Sequence, residues 1–261
     1  GSPSPLMTNS EILAVSKILL ESRAFTKEEM SGILNKLVAG CVPLENIKLV
    51  SALVSNELFH YVELTHPVGI QDKLWEIGCD IQQHHLMRIR YQRQGADAAS
   101  AVERIVEPVS ILFSEYYFYL NAYITKENDG KYTRKYDYPA IFRIDRIADY
   151  KIMEQTFSLP YASRFQEGEF RKRVQFMYPG RLQSIRLRYT GSSVEAILDR
   201  LPTAKIVSQD ANGYLVEAEI YGNGIVMWLL SQGNRVEVLA PQTLREEMFR
   251  VLTAMLERYQ P

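Results

Sequence analysis

The amino-acid sequence predicts an α+β protein with a helical connector, a small β-barrel and a C-terminal ferredoxin-like domain. Apolar residues recur at helical spacing as far as about residue 84. From Leu86 they alternate with polar residues, as in a half-buried strand. From Ile185 onward, strand and helix patterns follow one another in the order of a split βαβ arrangement.

Residues 7–84 are predicted to be a helical connector that takes part in dimerisation, and residues 1–6 are interpreted as a cloning remnant. Thr26 and Glu29 fit a capping box at the start of the second helix. Trp75 is expected to be a core residue of the fourth helix. The four predicted helices occupy Glu11–Ser22, Thr26–Leu37, Pro43–Leu58 and Ile70–His84.

Residues 85–157 are predicted to form the barrel, because β-branched and aromatic residues dominate several short segments there. Gln94-Gly95 is expected to end the first strand, and Asn128-Asp129-Gly130 is predicted to be a turn between strands. The five predicted strands are Leu86–Gln92, Ile105–Leu112, Tyr116–Ile124, Pro139–Ile147 and Ala148–Met153.

Residues 158–175 show little periodicity and are predicted to be a linker with a short helix. Residues 176–261 are predicted to be the ferredoxin-like domain, closed by an amphipathic helix. Its four predicted strands are Ile185–Tyr189, Ala204–Gln209, Tyr214–Ile220 and Val236–Leu239. Its predicted helices follow the first, third and fourth strands, at Val194–Leu201, Ile225–Ser231 and Thr243–Tyr259.

Composition narrows the class of protein. The net charge is -1, and residues 1–80 carry six Lys and Arg against ten Asp and Glu, so this chain is not expected to bind duplex DNA by itself. Cys41 and Cys79 fit neither a disulfide framework nor zinc spacing, which favours a cytoplasmic location. No stretch is apolar enough for a membrane helix. No metal site, cofactor or catalytic residue set is predicted, so an enzyme is not expected.

The segment Phe142-Arg143-Ile144-Asp145-Arg146 departs from simple strand alternation. Arg143 and Asp145 share a face and can pair, whereas Arg146 falls on the apolar face. The strand is therefore expected to end or bulge near Asp145, unless Arg146 reaches a special partner. Arg93 lies at the end of the first strand, where it is either solvated or part of a basic pocket.

The middle of the chain resembles the WYL domain of bacterial transcription regulators of the DeoR-like, winged helix-turn-helix type. The motifs that carry the resemblance are Arg90-Tyr91, Val106-Glu107-Pro108, Phe118-Tyr119-Leu120, Phe142-Arg143-Ile144-Asp145-Arg146-Ile147 and Thr156-Phe157. The helical region is similar to the connector that follows the DNA-binding head in such regulators, and the tail is similar to their C-terminal extension. The resemblance implies that the barrel is Sm-like and that a DNA-binding head is missing from this chain. It also implies a ligand-binding pocket formed by Tyr91, Arg93, Phe118, Tyr119, Arg143 and Arg146.

Two positions depart from the family pattern. Phe118 replaces the tryptophan that gives the family its first letter, and Ala140 replaces a further arginine. Arg134 or Lys135 could compensate for that arginine. The resemblance implies a homodimeric sensor of a nucleotide, single-stranded nucleic acid or similar anion. Two alternatives stay open: a ligand-free dimerisation or protein-interaction module, and an enzyme acting on nucleotides.

Overall fold

The computed structural model describes residues 6–65, 68–93, 100–159 and 165–261. A helical region, a six-stranded sheet and a C-terminal sheet with helices follow one another along the chain, which confirms the predicted α+β class. Three expectations fall partly or wholly outside the described residues: the remnant at residues 1–6, the strand end at Gln94-Gly95 and the linker at residues 158–175.

Three helices pack together at the start of the chain: α1 (Asn9–Ser22), α2 (Lys27–Cys41) and α3 (Ile47–Phe59). The Thr26 hydroxyl accepts a hydrogen bond from the Glu29 backbone N at 3.2 Å, which confirms the N-cap half of the predicted capping box. The Glu29 carboxylate accepts from the Thr26 hydroxyl, at 3.1 Å, instead of from the Thr26 backbone N. Two apolar clusters hold the helices together. Their buried members are Ile12, Leu20, Met30, Leu34, Val38, Val42, Val50, Val54 and Tyr61.

The fourth helix, α4 (Gln71–Gln83), packs on the six-stranded sheet. Ile77 is fully buried in the core of that sheet, and Lys73 Nζ donates to the Ile147 carbonyl at 2.9 Å. Trp75 lies on the opposite side of the helix and is 76% exposed. The prediction that Trp75 is a core residue is therefore wrong.

The six-stranded sheet is antiparallel and follows the order β4-β3-β2-β1-β6, with β5 paired to β3. Its strands are β1 (His85–Tyr91), β2 (Val102–Ser114), β3 (Tyr117–Asn128), β4 (Lys131–Arg134), β5 (Ala140–Arg143) and β6 (Ile147–Thr156). Residues Ile144–Arg146 form a 3₁₀ turn between β5 and β6. The strand order is Sm-like. Within the described residues no hydrogen-bonded ladder joins β5 to β6, so the sheet does not close into a barrel there.

The two faces of β3 have different surroundings, because successive side chains of a strand point to opposite sides. Phe118, Leu120 and Ala122 face the apolar interior together with Ile77 and Phe142. The alternate side chains face outward, where the short helix α5 (Glu167–Arg173) lies. Its Phe170, with Val174, Met177 and Tyr221, packs against Leu112, Tyr119 and Ile141. We call these seven residues the linker cluster.

The C-terminal sheet has the strand order β10-β7-β9-β8, all antiparallel, as a ferredoxin-like domain requires. Its elements are β7 (Leu182–Tyr189), α6 (Glu195–Arg200), β8 (Lys205–Asp210), β9 (Gly213–Tyr221), α7 (Ile225–Ser231), β10 (Val236–Ala240) and α8 (Gln242–Tyr259). The helices α6 and α7 cover the apolar face of the sheet, with Ile197, Trp228 and Leu229 buried. None of the helices in the described ranges has the length and apolar character needed to cross a membrane.

Candidate functional site

The Phe-Arg-Ile-Asp-Arg motif lies where β5 turns into β6. Arg143 is the last residue of β5, and the following three residues form the 3₁₀ turn. This confirms that the strand ends near Asp145, and it places the break earlier than the predicted boundary at Ile147. Because the strand ends there, alternation no longer directs Arg146 into the apolar interior.

Arg143 is held on two sides. Its Nε donates to Asp145 Oδ1 at 3.0 Å, and its Nη2 donates to Asp145 Oδ2 at 2.7 Å. Its Cζ lies 3.3 Å from the centre of the Tyr117 ring, a cation–π geometry. The side chains of Arg143 and Asp145 are 18% and 19% exposed. The pair expected from sequence therefore forms, and Tyr117 adds an aromatic surface that was not predicted.

The surroundings of Arg143 keep it charged. Burial alone lowers the pKa of Arg143, but the hydrogen bond and the charge of Asp145 outweigh that effect and raise it. Burial has the opposite effect on a phenol and raises the pKa of Tyr119, although the charge of Arg143 partly offsets this rise. The site thus presents a permanent guanidinium beside the neutral phenol of Tyr119.

Tyr91 and Tyr119 lie on either side of Arg143. The Tyr91 hydroxyl accepts a hydrogen bond from the Arg143 backbone N at 3.3 Å. Tyr119 is the cross-strand neighbour of Arg143, and its ring centre lies 6.5 Å from that of Tyr117. Three of the predicted site residues therefore meet here, and Tyr119 also belongs to the linker cluster.

Arg146 and Arg93 lie at the same end of the sheet. The Gln92 backbone N donates to the Arg146 carbonyl at 3.0 Å, so the end of β1, which is followed by Arg93, runs beside the 3₁₀ turn. Arg146 is half-buried and Arg93 is exposed. Within the described ranges, neither side chain has a carboxylate at ion-pair distance.

Phe118 points away from this group. Its ring packs against Phe113, at 5.0 Å between centres, and against Phe25 of the helical region, at 6.1 Å. The cleft beside it, which Arg23 and Asp145 also line, has a volume of about 20 Å³. That is little more than one water molecule needs. Phe118 thus contributes to the contact between the helices and the sheet, and of the other five predicted residues only Tyr91 packs against the same core.

A second arginine site lies further along the outer face of β3. Arg134 Nε donates to Glu107 Oε2 at 2.7 Å, and Arg134 Cζ lies 3.7 Å from the Tyr123 ring centre. Glu107 and Tyr123 are both buried. Arg134, named as a substitute for the arginine missing at Ala140, is thus already paired with a carboxylate.

Sequence reasoning missed Tyr117 and Arg23. Tyr117 could have been found, because it lies two residues before Tyr119 and so shares its face. Nothing local to Arg23 signals its position, since its guanidinium reaches the Tyr116 ring, at 5.2 Å, only through folding of the whole chain. Within the described part of the chain, no group of three or more metal-ligating side chains comes together.

Comparisons with known proteins agree with this architecture. The model of the family described as the WYL domain matches residues 80–152, and that of the WCX domain matches residues 181–256. Comparison with curated protein sequences gave no match.

Two solved structures are similar to the chain. Proteasome accessory factor B/C of Arthrobacter aurescens has 18% identity and a TM-score of 0.39, over 98% of this chain and 36% of that chain. A CRISPR Cas-related protein has 18% identity and a TM-score of 0.44, over 72% of this chain and 52% of that chain. The present chain thus spans about a third and about half of their lengths. With both domains in this order, the chain is a WYL-domain protein in which a WCX domain follows the WYL domain.

Proposed function

We propose that this chain is the ligand-sensing and dimerising part of a DeoR-like transcription regulator, and that its WYL domain binds a nucleotide or single-stranded nucleic acid. One observation carries the proposal: Arg93 and Arg146 have no carboxylate partner among the described residues, and their backbones meet at the turn that directly follows Arg143. In this proposal, the ligand changes the geometry of a dimer that carries winged helix-turn-helix heads outside the present chain.

The chemistry of the group suits a phosphate with an attached base. Guanidinium groups bind phosphate oxygens through paired hydrogen bonds, and tyrosine rings stack on bases. Arg143 already gives two donors to Asp145, so we assign the phosphate contacts to Arg93 and Arg146. Each such contact contributes about 1.5–3 kcal/mol. Duplex DNA would be bound through the heads, because residues 1–80 are acidic.

The test is a titration of a fluorescent oligothymidylate by anisotropy, with nucleotides titrated by calorimetry. We expect Arg146→Ala and Arg93→Ala each to weaken binding by roughly tenfold to a hundredfold. Arg104→Ala is the matched control, because Arg104 is a half-buried arginine of the same sheet, like Arg146, and its guanidinium binds the Glu103 carbonyl. Equal losses of affinity in all three variants would mean that the ligand responds only to the net charge of the chain, which would contradict a specific site at Arg93 and Arg146.

A ligand-free interaction module is the second candidate function. It is favoured by the pairing of Arg143 with Asp145 and by the small volume of the cleft beside Phe118. No binding of any oligonucleotide or nucleotide, together with a stable dimer in light scattering, would support this candidate over the sensor. Turnover of the same nucleotides would instead favour an enzyme.

A further inference from the structure

A cleft lies between the β2–β3 hairpin of the WYL domain and the C-terminal domain. One wall is the end of the hairpin at residues 113–115, and the other consists of α5, the segment after it and the end of α6. We call this space the interdomain cleft. Its volume of about 600 Å³ is that of a small-molecule site, and such sites often lie between domains.

Gln175 brings a buried polar group to the interdomain cleft. The residue is only 3% exposed, and it lines the cleft. Its side-chain amide has no hydrogen-bond partner among the described residues. Buried amides are nearly always hydrogen-bonded, because an unpaired one costs free energy. The Gln175 amide is therefore available to a ligand in the cleft, both as a donor and as an acceptor.

Arg200, the last residue of α6, brings a guanidinium to the same cleft. Its Cζ lies 4.7 Å from the centre of the Phe176 ring, and its Nε is buried without a hydrogen-bond partner. Within the described ranges, no carboxylate lies at ion-pair distance from it. A guanidinium that lies over a ring keeps the N–H groups of its edge free for a pair of oxygen atoms.

A neighbouring cavity, on the open face of the C-terminal sheet, does not offer such groups. Its volume is about 730 Å³, and its lining includes Arg173 and Arg186. Both arginines form ion pairs with glutamates that line the same cavity. The open face is thus a set of paired surface charges, whereas the interdomain cleft holds a free guanidinium and a free buried amide.

We propose that the interdomain cleft binds a small organic carboxylate with an apolar body. Arg200 can donate two parallel hydrogen bonds to the carboxylate, and the Gln175 amide can donate a third. Phe113, which is 37% exposed on the opposite wall, can contact the apolar body. Such a ligand touches both domains, so it stabilises the arrangement in which the two walls lie this close together. The site is separate from the nucleotide site proposed above.

The charges in the cleft favour a ligand with a single negative charge. Arg171 and Arg200 line the cleft, but so do two carboxylates, Glu115 and Asp199. Lys172 also lines it and is already paired with a glutamate of α5. A polyphosphate would bring several negative charges close to the two carboxylates, which would repel them. The ligand is therefore either a plain monocarboxylate or an amino acid, whose ammonium group those carboxylates can bind.

The first experiment is a titration of the isotope-labelled full chain, followed by amide chemical shifts, up to about 10 mM of each probe. Phenylpropionate should bind with a Kd of about 0.1–1 mM and shift the amides of residues 171–176. Phenethylamine has the same apolar body with the opposite charge, and it should bind at least roughly tenfold more weakly. Phenylalanine identifies the source of the carboxylate. Tighter binding than that of phenylpropionate assigns the cleft to amino acids, and weaker binding assigns it to plain acids.

The second experiment repeats the phenylpropionate titration with variants. Arg200→Ala and Gln175→Leu should each weaken binding at least roughly tenfold. Gln175→Leu should also keep or raise the melting temperature, because it replaces an unpaired buried amide with an apolar side chain of similar size. Its loss of binding would then not reflect a loss of folding. Arg181→Ala is the matched control, since Arg181 is an exposed arginine of the same domain outside the cleft.

The proposal is overturned if phenylpropionate shifts no amide of the cleft, in which case water alone satisfies Gln175. It is also overturned if phenethylamine binds equally well, or if Arg200→Ala and Gln175→Leu keep wild-type affinity. The cleft shares no residue with the group around Arg93 and Arg146. A chain that binds phenylpropionate but no oligothymidylate therefore leaves this site intact, and the reverse result leaves the nucleotide sensor intact.

Discussion

Breaking the Arg143–Asp145 pair should destabilise the WYL domain much more than breaking a surface ion pair of the same sheet. The pair has two hydrogen bonds, and both side chains are about four-fifths buried. Arg143→Ala leaves the Asp145 carboxylate without its partner at a site that water reaches poorly. Asp145→Ala leaves the guanidinium in the same position, still stacked on Tyr117.

The magnitude follows from burial. Removing one partner of a fully buried pair costs about 3–5 kcal/mol, and exposed pairs contribute about 0–1 kcal/mol. We expect the free energy of unfolding to fall by about 2–3 kcal/mol in Asp145→Ala. We expect a fall of about 3–4 kcal/mol in Arg143→Ala, which also loses a cation–π contact of about 0.5–1 kcal/mol. The interaction energy in the double-mutant cycle should be about 1.5–2.5 kcal/mol.

The Arg88–Glu103 pair supplies the matched control. Its Nη1 and Oε1 are 3.0 Å apart on neighbouring strands of the same sheet, but its side chains are 45% and 57% exposed. Urea unfolding measures the interaction energy in the double-mutant cycles of both pairs. Hydrogen exchange of the β3 and β5 amides then shows whether the change in stability lies in this sheet. An interaction energy for Arg143–Asp145 no larger than that of the control would refute the reasoning.

Three further predictions concern other parts of the chain. Burial raises the pKa of Asp80 from 3.8 to about 6, so the folded state takes up a proton more readily than the unfolded state. Stability should fall by about 1–3 kcal/mol as the pH rises from about 4 to 7, and Asp80→Asn should remove that slope in urea titrations. Gly224→Ala should lower the melting temperature, because a Cβ there would lie 2.0 Å from a backbone carbonyl, whereas Gly40→Ala should raise it slightly, since nothing lies within 4 Å. Acrylamide should quench Trp75, which is 76% exposed, and spare Trp228, which is 6% exposed, in single-tryptophan variants.

Local signals in the sequence predicted most of the fold. The N-cap bond at Thr26 requires only a hydroxyl three residues before a backbone N–H, and this half of the predicted capping box forms. The strand and helix order after Ile185 led to the ferredoxin-like arrangement, because few ways of pairing those elements bury one face of each. The conflict between Arg146 and strand alternation correctly indicated that the strand ends near Asp145.

Features that depend on distant parts of the chain could not be predicted in this way. Trp75 has the large apolar side chain of a typical core residue. Ile77 and its neighbours form the side of α4 that faces the sheet, which leaves Trp75 on the exposed side. Alternation places Phe118 and Tyr119 on opposite faces, but only the folded chain shows that one face meets the helical region and the other meets the linker cluster. Ile144 was predicted to be a strand residue. It lies in the 3₁₀ turn instead, where it is fully buried.

The position of Tyr119 bears on how a ligand at this end of the sheet could affect the rest of the chain. Its ring contacts Tyr117, on which Arg143 stacks, and it also packs in the linker cluster with Phe170. Phe170 in turn lies 5.1 Å from the Tyr221 ring of the C-terminal domain. A ligand shifts a conformational equilibrium only by the difference in its contacts with the two states. A phosphate held by Arg93 and Arg146 would therefore have to shift the stack of Arg143 on Tyr117, and with it the Tyr117–Tyr119 contact, to reach the C-terminal domain by this route. Tyr119→Leu keeps an apolar side chain in the linker cluster and leaves the phosphate contacts of Arg93 and Arg146 in place. It should therefore weaken ligand binding less than Arg146→Ala does, and it should abolish any ligand-dependent change in hydrogen exchange of the β9 amides.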